Sequence, residues 1–299
     1  LEDLNLHKTC ISGEGLESVP VLNLKKLDLR SCRRLTNTGL LQLLMKCSST
    51  LEDLNLDGTF ISGEGLESVP FFRLEKLNLV RCKSLSNTGL LQLLAKCSAT
   101  LKDLNLSSTD ISGEGLDSIP VLKQLEKLNL GNCWDLTNTG LLQLLAKCSS
   151  TLKELNLCRT GISGEGLDSI PDLQLEILDL SSNQNMTDTG LLQFLAKCSS
   201  TLKDLDLNKT GISGEGLDSV PVLKLEILRL ESCWKLTNEG LLELLAKCSA
   251  SLEELRLHGS CISGGCLADT RLEETIVEEI AFTLSSRVEE AWPTHVELV

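Results

Sequence analysis

Residues 51–100 read LEDLNLDGTFISGEGLESVPFFRLEKLNLVRCKSLSNTGLLQLLAKCSAT, and the chain restarts this stretch at Leu101, Leu152, Leu202 and, in part, Leu252. The same text fills residues 1–50. Self-similarity at a fixed spacing decides the fold before any local reading, because a unit that cannot bury its apolar face alone must stack on its copies. Within the stretch lie two shorter units, opening at Leu51 and Leu74, each beginning Leu-x-x-Leu-x-Leu-x-x-(Thr or Cys). Eleven such units can be counted, with first leucines at 1, 24, 51, 74, 101, 125, 152, 175, 202, 225 and 252. They alternate between a short form of 23 or 24 residues and a long form of 27.

Positions 4 and 6 of every unit are Leu. Alternation of this kind reads as one short strand per unit, with its leucines inward and positions 3, 5 and 7 outward. Stacking then gives a concave parallel sheet of about 11 strands. In the long units, segments such as 136–148 (LTNTGLLQLLAKC) offer Thr137 or Asn138 as helix cap, and Leu141, Leu144, Leu145 and Cys148 share one helical face. The short units read Ile-Ser-Gly-Glu-Gly-Leu-(Asp or Glu)-Ser, and their glycines and terminal proline permit barely one turn. The expected fold is therefore α/β: a right-handed solenoid, or horseshoe, whose convex helices alternate with short turns. Position 9, where the chain leaves the strand, is Cys in most long units and Thr or Ser in the short ones, and a small hydrogen-bonding side chain there satisfies buried backbone.

The rhythm stops after Leu267. Thr270 with Glu273 forms a capping-box pattern, and Leu272, Ile276, Ile280, Leu284 and Val288 follow at intervals of four. The expected organisation is a repeat array over 1–267 and a capping helix with tail over 268–299. No equivalent cap precedes Leu1, which points to a trimmed piece of a longer product or to homodimerisation through that end.

The net charge of −14 disfavours nucleic acid, which needs a basic face. Thirteen cysteines would suit a disulfide scaffold, but five (Cys47, Cys97, Cys148, Cys198, Cys248) and four more (Cys32, Cys82, Cys133, Cys233) recur in register with the buried leucines. Cysteine used that way is a small core residue, which favours a reducing, cytoplasmic compartment over an extracellular one. No apolar run approaches 18 residues, so no membrane-spanning helix is expected.

Comparing the copies with one another separates scaffold from surface. Position 3 alternates acid and base from Asp3 to Glu154, a cross-strand charge pattern, and lapses at Ile177 and Ile227. Position 5 is Asn or Asp until Arg229 and Arg256, and reads as a ladder of side chains across the strands. Position 7 shows nine residue types in eleven copies, including Arg30, Asp57 and His258. Variation also gathers just beyond, at Arg33 and Arg34, Phe60, Arg81 and Lys83, Trp134, Arg159 and Trp234. Positions 7 and 8 and those just after position 9 share the strand-to-loop edge of the expected concave face, and Trp and Arg are the usual anchors of interfaces. Arg30, Arg33, Arg34, Asp57, Phe60, Arg81, Lys83, Trp134, Arg159, Trp234 and His258 on this edge, with Ile177 and Ile227 on the concave face, are the candidate ligand-binding residues. The three histidines sit in no nucleophile or metal motif, and His258 with Cys261 and Cys266 reads as repeat register plus stray cysteines rather than a zinc site. The Ser-Gly-Glu-Gly turns carry no lysine and are not phosphate loops. No catalytic residue, metal or cofactor is expected.

The Leu-x-x-Leu-x-Leu-x-x-Cys core followed by Leu-Thr-Asn-x-Gly-Leu and a later Cys, clearest at 24–50 and 225–251, resembles the cysteine-containing class of leucine-rich repeats. That class is familiar from F-box substrate receptors and is related to ribonuclease-inhibitor-like horseshoes. The near-identical tandem copies also resemble leucine-rich-repeat-only innate-immune proteins of invertebrate chordates such as lancelets. The resemblance implies a non-enzymatic recognition module for a protein or microbial surface ligand. The alternative it implies is an intracellular adaptor, such as a ubiquitin-ligase substrate receptor, that binds one protein.

Overall fold

The computed structural model describes residues 1–15, 19–47, 49–248 and 250–260, together with the strand residues 297–298. The chain forms two compact units, Leu1–Asn156 and Leu157–Val299. The first contains β1 (Asp3–Asn5), β2 (Lys26–Asp28), α1 (Asn37–Cys47), β3 (Asp53–Asn55), β4 (Lys76–Asn78), α2 (Asn87–Cys97), β5 (Asp103–Asn105), β6 (Lys127–Asn129), α3 (Asn138–Leu145) and β7 (Glu154–Asn156). The second contains β8 (Ile177–Asp179), α4 (Asp188–Cys198), β9 (Asp204–Asp206), β10 (Ile227–Arg229), α5 (Asn238–Cys248), β11 (Glu254–Arg256) and β12 (Glu297–Leu298). Within each unit, successive strands pair in parallel and in register, so that Leu54 lies between Leu27 and Leu77, and Leu205 between Leu178 and Leu228. The helix expected over 268–299 lies outside the described residues, apart from β12, which pairs with β11.

The helix and turn alternation follows the sequence. Helices occupy the long repeats, and single 3-10 turns (Leu66–Ser68, Leu116–Ser118, Leu167–Ser169, Leu217–Ser219) occupy four of the short ones. Each helix is started by the Ser or Thr before it. The hydroxyl of Ser86 accepts from Gly89 N at 3.0 Å, and those of Thr137 and Thr187 accept from Gly140 N and Gly190 N at 2.9 and 3.0 Å. Such a cap contributes about 1 kcal/mol.

The Asn after the cap has another job. Asn37 donates from Nδ2 to Ser62 Oγ at 2.7 Å and accepts from Ser62 N and Gly63 N, which ties the start of α1 to the turn of the following short repeat. Asn87 likewise donates to Ser112 Oγ and accepts from Gly113 N, whereas Asp188 accepts from Ser213 N, Ser213 Oγ and Gly214 N.

The helix start also meets the preceding turn. A Cβ placed on Gly89 would stand 2.0 Å from Ser62 O, and one on Gly190 would stand 2.0 Å from Ser163 O. Backbone therefore packs on backbone there, and the Gly of the Asn-Thr-Gly-Leu segment is a contact requirement.

Leucines at positions 1, 4 and 6 line the interior of both units, and from Leu24 to Leu252 nearly all are fully buried. The position-9 ladder closes as expected. Cys82 Sγ donates to Leu56 O at 3.1 Å, while Thr59 Oγ1 donates to the same carbonyl at 2.8 Å. Asn183, the exception, accepts from Thr160 N and Gly161 N and donates to Leu157 O and Leu180 O, all within 3.0 Å. The helix cysteines point their thiols at the carbonyl four residues back, as Cys97 does to Leu93 O at 3.3 Å. Burial pushes the thiols of Cys97, Cys148, Cys198 and Cys248 up to about 12, which leaves them protonated and unreactive.

Candidate functional site

The exposed face of each repeat is built on two backbone devices. At position 5 the Asn or Asp side chain accepts the N–H of position 7 in its own repeat: Asn55 from Asp57, Asn105 from Ser107 and Asp179 from Ser181, at 3.1, 3.0 and 2.9 Å. Position 5 is thus the hinge that ends the strand rather than a ladder of side chains. Where Arg229 stands instead, Glu231 N turns to Asn208 Oδ1 of the preceding repeat.

Position 8 adopts the left-handed conformation in every repeat, from Lys8 (φ 57°) to Gly259 (φ 70°), although it is glycine only at Gly58 and Gly259. Arg81 and Arg159 are two of the non-glycine cases. The variability of this position conceals one fixed backbone shape, because several side chains tolerate it at about 1 kcal/mol.

The charge ladder is displaced from where the sequence suggests. Along position 3, only Lys127 and Glu154 come within ion-pair distance among the described residues, at 2.7 Å. Position 2 closes more often, with Lys25–Glu2, Lys102–Glu75, Lys153–Glu126 and Lys203–Glu226 at 3.0, 2.9, 3.6 and 3.4 Å. Each of these pairs is exposed and screened by solvent, so it contributes little to stability.

The candidate residues divide into paired and unpaired groups. In the first unit, Arg30 folds back on Asp28 of its own strand at 2.7 Å, and its guanidinium beside Asp28 holds that carboxyl below the usual range against the opposing effect of burial. Asp57 and Arg81, from adjacent repeats, form a two-pronged pair at 2.9 and 2.7 Å. Lys83 reaches Asp110 at 2.6 Å. Arg33, Arg34 and Phe60 are exposed, as is Trp134 at 64%.

Arg33, Phe60, Lys83 and Trp134 share position 10, with Cys10 and Asp110, so they form one solvent-facing column beyond the strands of this unit. In the second unit, Arg159, Ile177 and His258 are exposed and Ile227 is half-buried. Trp234 is 55% exposed, with Lys235 Nζ 4.7 Å from its ring. The first column and Trp234 belong to different units, and each stands as its own patch.

A shallow hollow over β1–β3 is lined by Asp3, Asn5, Lys26, Asp28, Asp53 and Asn55. Sequence reasoning did not single it out, because each lining residue has a scaffold explanation. Among the described residues no group of three His, Cys, Asp or Glu is placed to hold a metal ion. No helix among them is long and apolar enough to cross a membrane.

The model of the family described as Leucine Rich repeat matches residues 22–44, 97–119, 148–170, 175–195 and 198–220. These five stretches are leucine-rich repeats. The α/β solenoid expected from its leucines is the fold each unit shows. Among solved structures, a chain of the yeast Rad7–Elc1 complex is similar at 24% identity and TM-score 0.43, covering 77% of this chain and 68% of that one. The leucine-rich repeat-containing protein LegL7 of Legionella pneumophila is similar at 21% identity and TM-score 0.46, covering 85% of this chain and 80% of that one. A search of curated proteins finds no match. Arrays of leucine-rich repeats act as protein-binding scaffolds, and this chain carries that architecture.

Proposed function

We propose that this protein is a non-enzymatic recognition module that binds a protein or microbial surface ligand, in innate immune recognition, on its strand faces and their strand-to-loop edge. The observation that carries the reading is the column at position 10. Positions 1, 4, 6 and 9 and the paired glycines each have a packing or hydrogen-bonding duty that the internal copies repeat. Position 10 has no such shared duty, and there the copies differ widely in chemistry, from Arg33 through Phe60 to Trp134. A large exposed Trp with no scaffold role is the type of residue that anchors an interface.

Binding to peptidoglycan, lipoteichoic acid and lipopolysaccharide, measured for the wild type and for Trp134→Ala and Trp234→Ala, tests it. Loss of binding in either variant supports the reading, and equal binding by all three proteins removes the edge as the site.

A second reading, an intracellular adaptor such as a ubiquitin-ligase substrate receptor, draws on the cysteines. Among the described residues nine are buried with free thiols, which suits a reducing compartment. Capture of one protein from lysate, lost in Trp134→Ala, with no binding to wall polymers, favours the adaptor.

A further inference from the structure

The outward face of the second unit breaks the rules that the first unit follows, and scaffold duty does not explain the departure. At position 3, β8 to β11 present Ile177, Asp204, Ile227 and Glu254 in neighbouring registers. Apolar and acidic side chains thus alternate across strands spaced about 4.8 Å apart. Ile177 is 41% exposed on this face, where the first unit carries Lys26, Lys76 and Lys127.

At position 5 the row is Asp179, Asp206, Arg229 and Arg256. Arg229 pairs with Asp204 and Arg256 with Glu254. No cation stands within ion-pair distance of Asp206 or Glu231 among the described residues. Over positions 3, 5 and 7 of these four strands, five carboxylates (Asp179, Asp204, Asp206, Glu231, Glu254) face two guanidinium groups, a net charge of −3.

We infer that the outward face of β8–β11 docks a basic segment of a partner protein in which lysine or arginine alternates with apolar residues. The basic groups meet Asp206 and Glu231, and the apolar ones cover Ile177 and Ile227. Charge complementarity selects this partner, because an acidic or neutral segment would leave the carboxylate excess uncompensated. Cross-strand like charges such as Asp179 beside Asp206 are unfavourable in the free protein, so a bound cation relieves them. The inference rests on the recognition reading above and gives it a partner chemistry and a second location.

The test uses the full chain, a short synthetic peptide of alternating lysine and leucine, and its glutamate–leucine counterpart, read by fluorescence anisotropy. Two variants restore residues that the first unit already carries at these positions, which keeps the fold: Ile177→Lys, as at Lys76, and Asp206→Asn, as at Asn78. The wild type is expected to bind the lysine–leucine peptide, more weakly as salt rises, and to ignore the glutamate–leucine peptide. Each variant is expected to bind it about tenfold more weakly, and Trp134→Ala should bind as the wild type does. Absence of lysine–leucine binding, equal binding of both peptides, or unchanged affinity in the two variants overturns the inference. If it fails while Trp134→Ala still loses a wall polymer or captured protein, the recognition reading stands without it.

Discussion

In residues 1–156 the third strand position runs Asp3, Lys26, Asp53, Lys76, Asp103, Lys127, Glu154, and in residues 157–299 it runs Ile177, Asp204, Ile227, Glu254. Apart from Asn183, the interior beneath follows one pattern in both units, with leucines at positions 1, 4 and 6, the glycine contacts and the position-9 ladder. The first unit alternates charge along that row and places its unexplained residues beyond the strands, at Arg33, Phe60 and Trp134. The second unit places apolar and surplus acidic groups on the strands themselves. A repeat protein can thus hold its core constant and change its outward chemistry one strand at a time, because each repeat contacts only its neighbours.

The comparison makes predictions that can break it. If the interiors are equivalent, Leu104→Ala in the first unit and Leu205→Ala in the second each cost roughly 2–5 kcal/mol in urea unfolding. A cost confined to one unit would show that the cores differ. Gly89→Ala and Gly190→Ala should each cost about 1–3 kcal/mol by forcing backbone apart, measured by the same transition. Asn183→Ala belongs to the second unit alone. It strands Thr160 N, Gly161 N and Leu180 O, while Leu157 O keeps the Thr160 hydroxyl, at a cost of about 1–3 kcal/mol.

The smallest effect sharpens the contrast at the surface. Burial, with Asp179 and Asp204 beside it, raises the Asp206 carboxyl above its ordinary 3.8. A group raised on folding gives stability that is full below the ordinary value and lost as pH rises through the raised one. Asp206→Asn should therefore raise the thermal midpoint at neutral pH, with the gain fading as pH falls toward 3.8. Asn78, its counterpart in the first unit, offers no such gain.

The repeats, the strand positions, the helix and turn alternation and the position-9 ladder were legible because each is a periodic demand of burial on one chain. Three features were not. Position 8 varies freely in side chain while its backbone stays left-handed, and identity gives no sign of a conformation that many residues tolerate. Position 5 looked like a cross-strand ladder but bonds within its own repeat, a local turn that composition shares with many roles. The glycine at the helix start looked like part of a motif, and only the approach of Ser62 O shows why nothing larger fits. Of the candidate site, exposure was readable at Phe60, Trp134 and Trp234. The mutual capture of Asp57 and Arg81 was not, since charged residues one repeat apart serve equally as partners of each other or of a ligand.

The glycine contact also bears on how such a chain can lengthen. Gly63 of a short repeat meets Gly89 of the next long one, and Asn87 of that helix reaches Ser112 of the short repeat after it. Copying a short or a long repeat alone would set turn against turn or helix start against helix start, with neither the paired glycines nor the Asn–Ser clasp. The heritable module is therefore the pair, and gene duplication can extend or shorten this array cleanly only in steps of two.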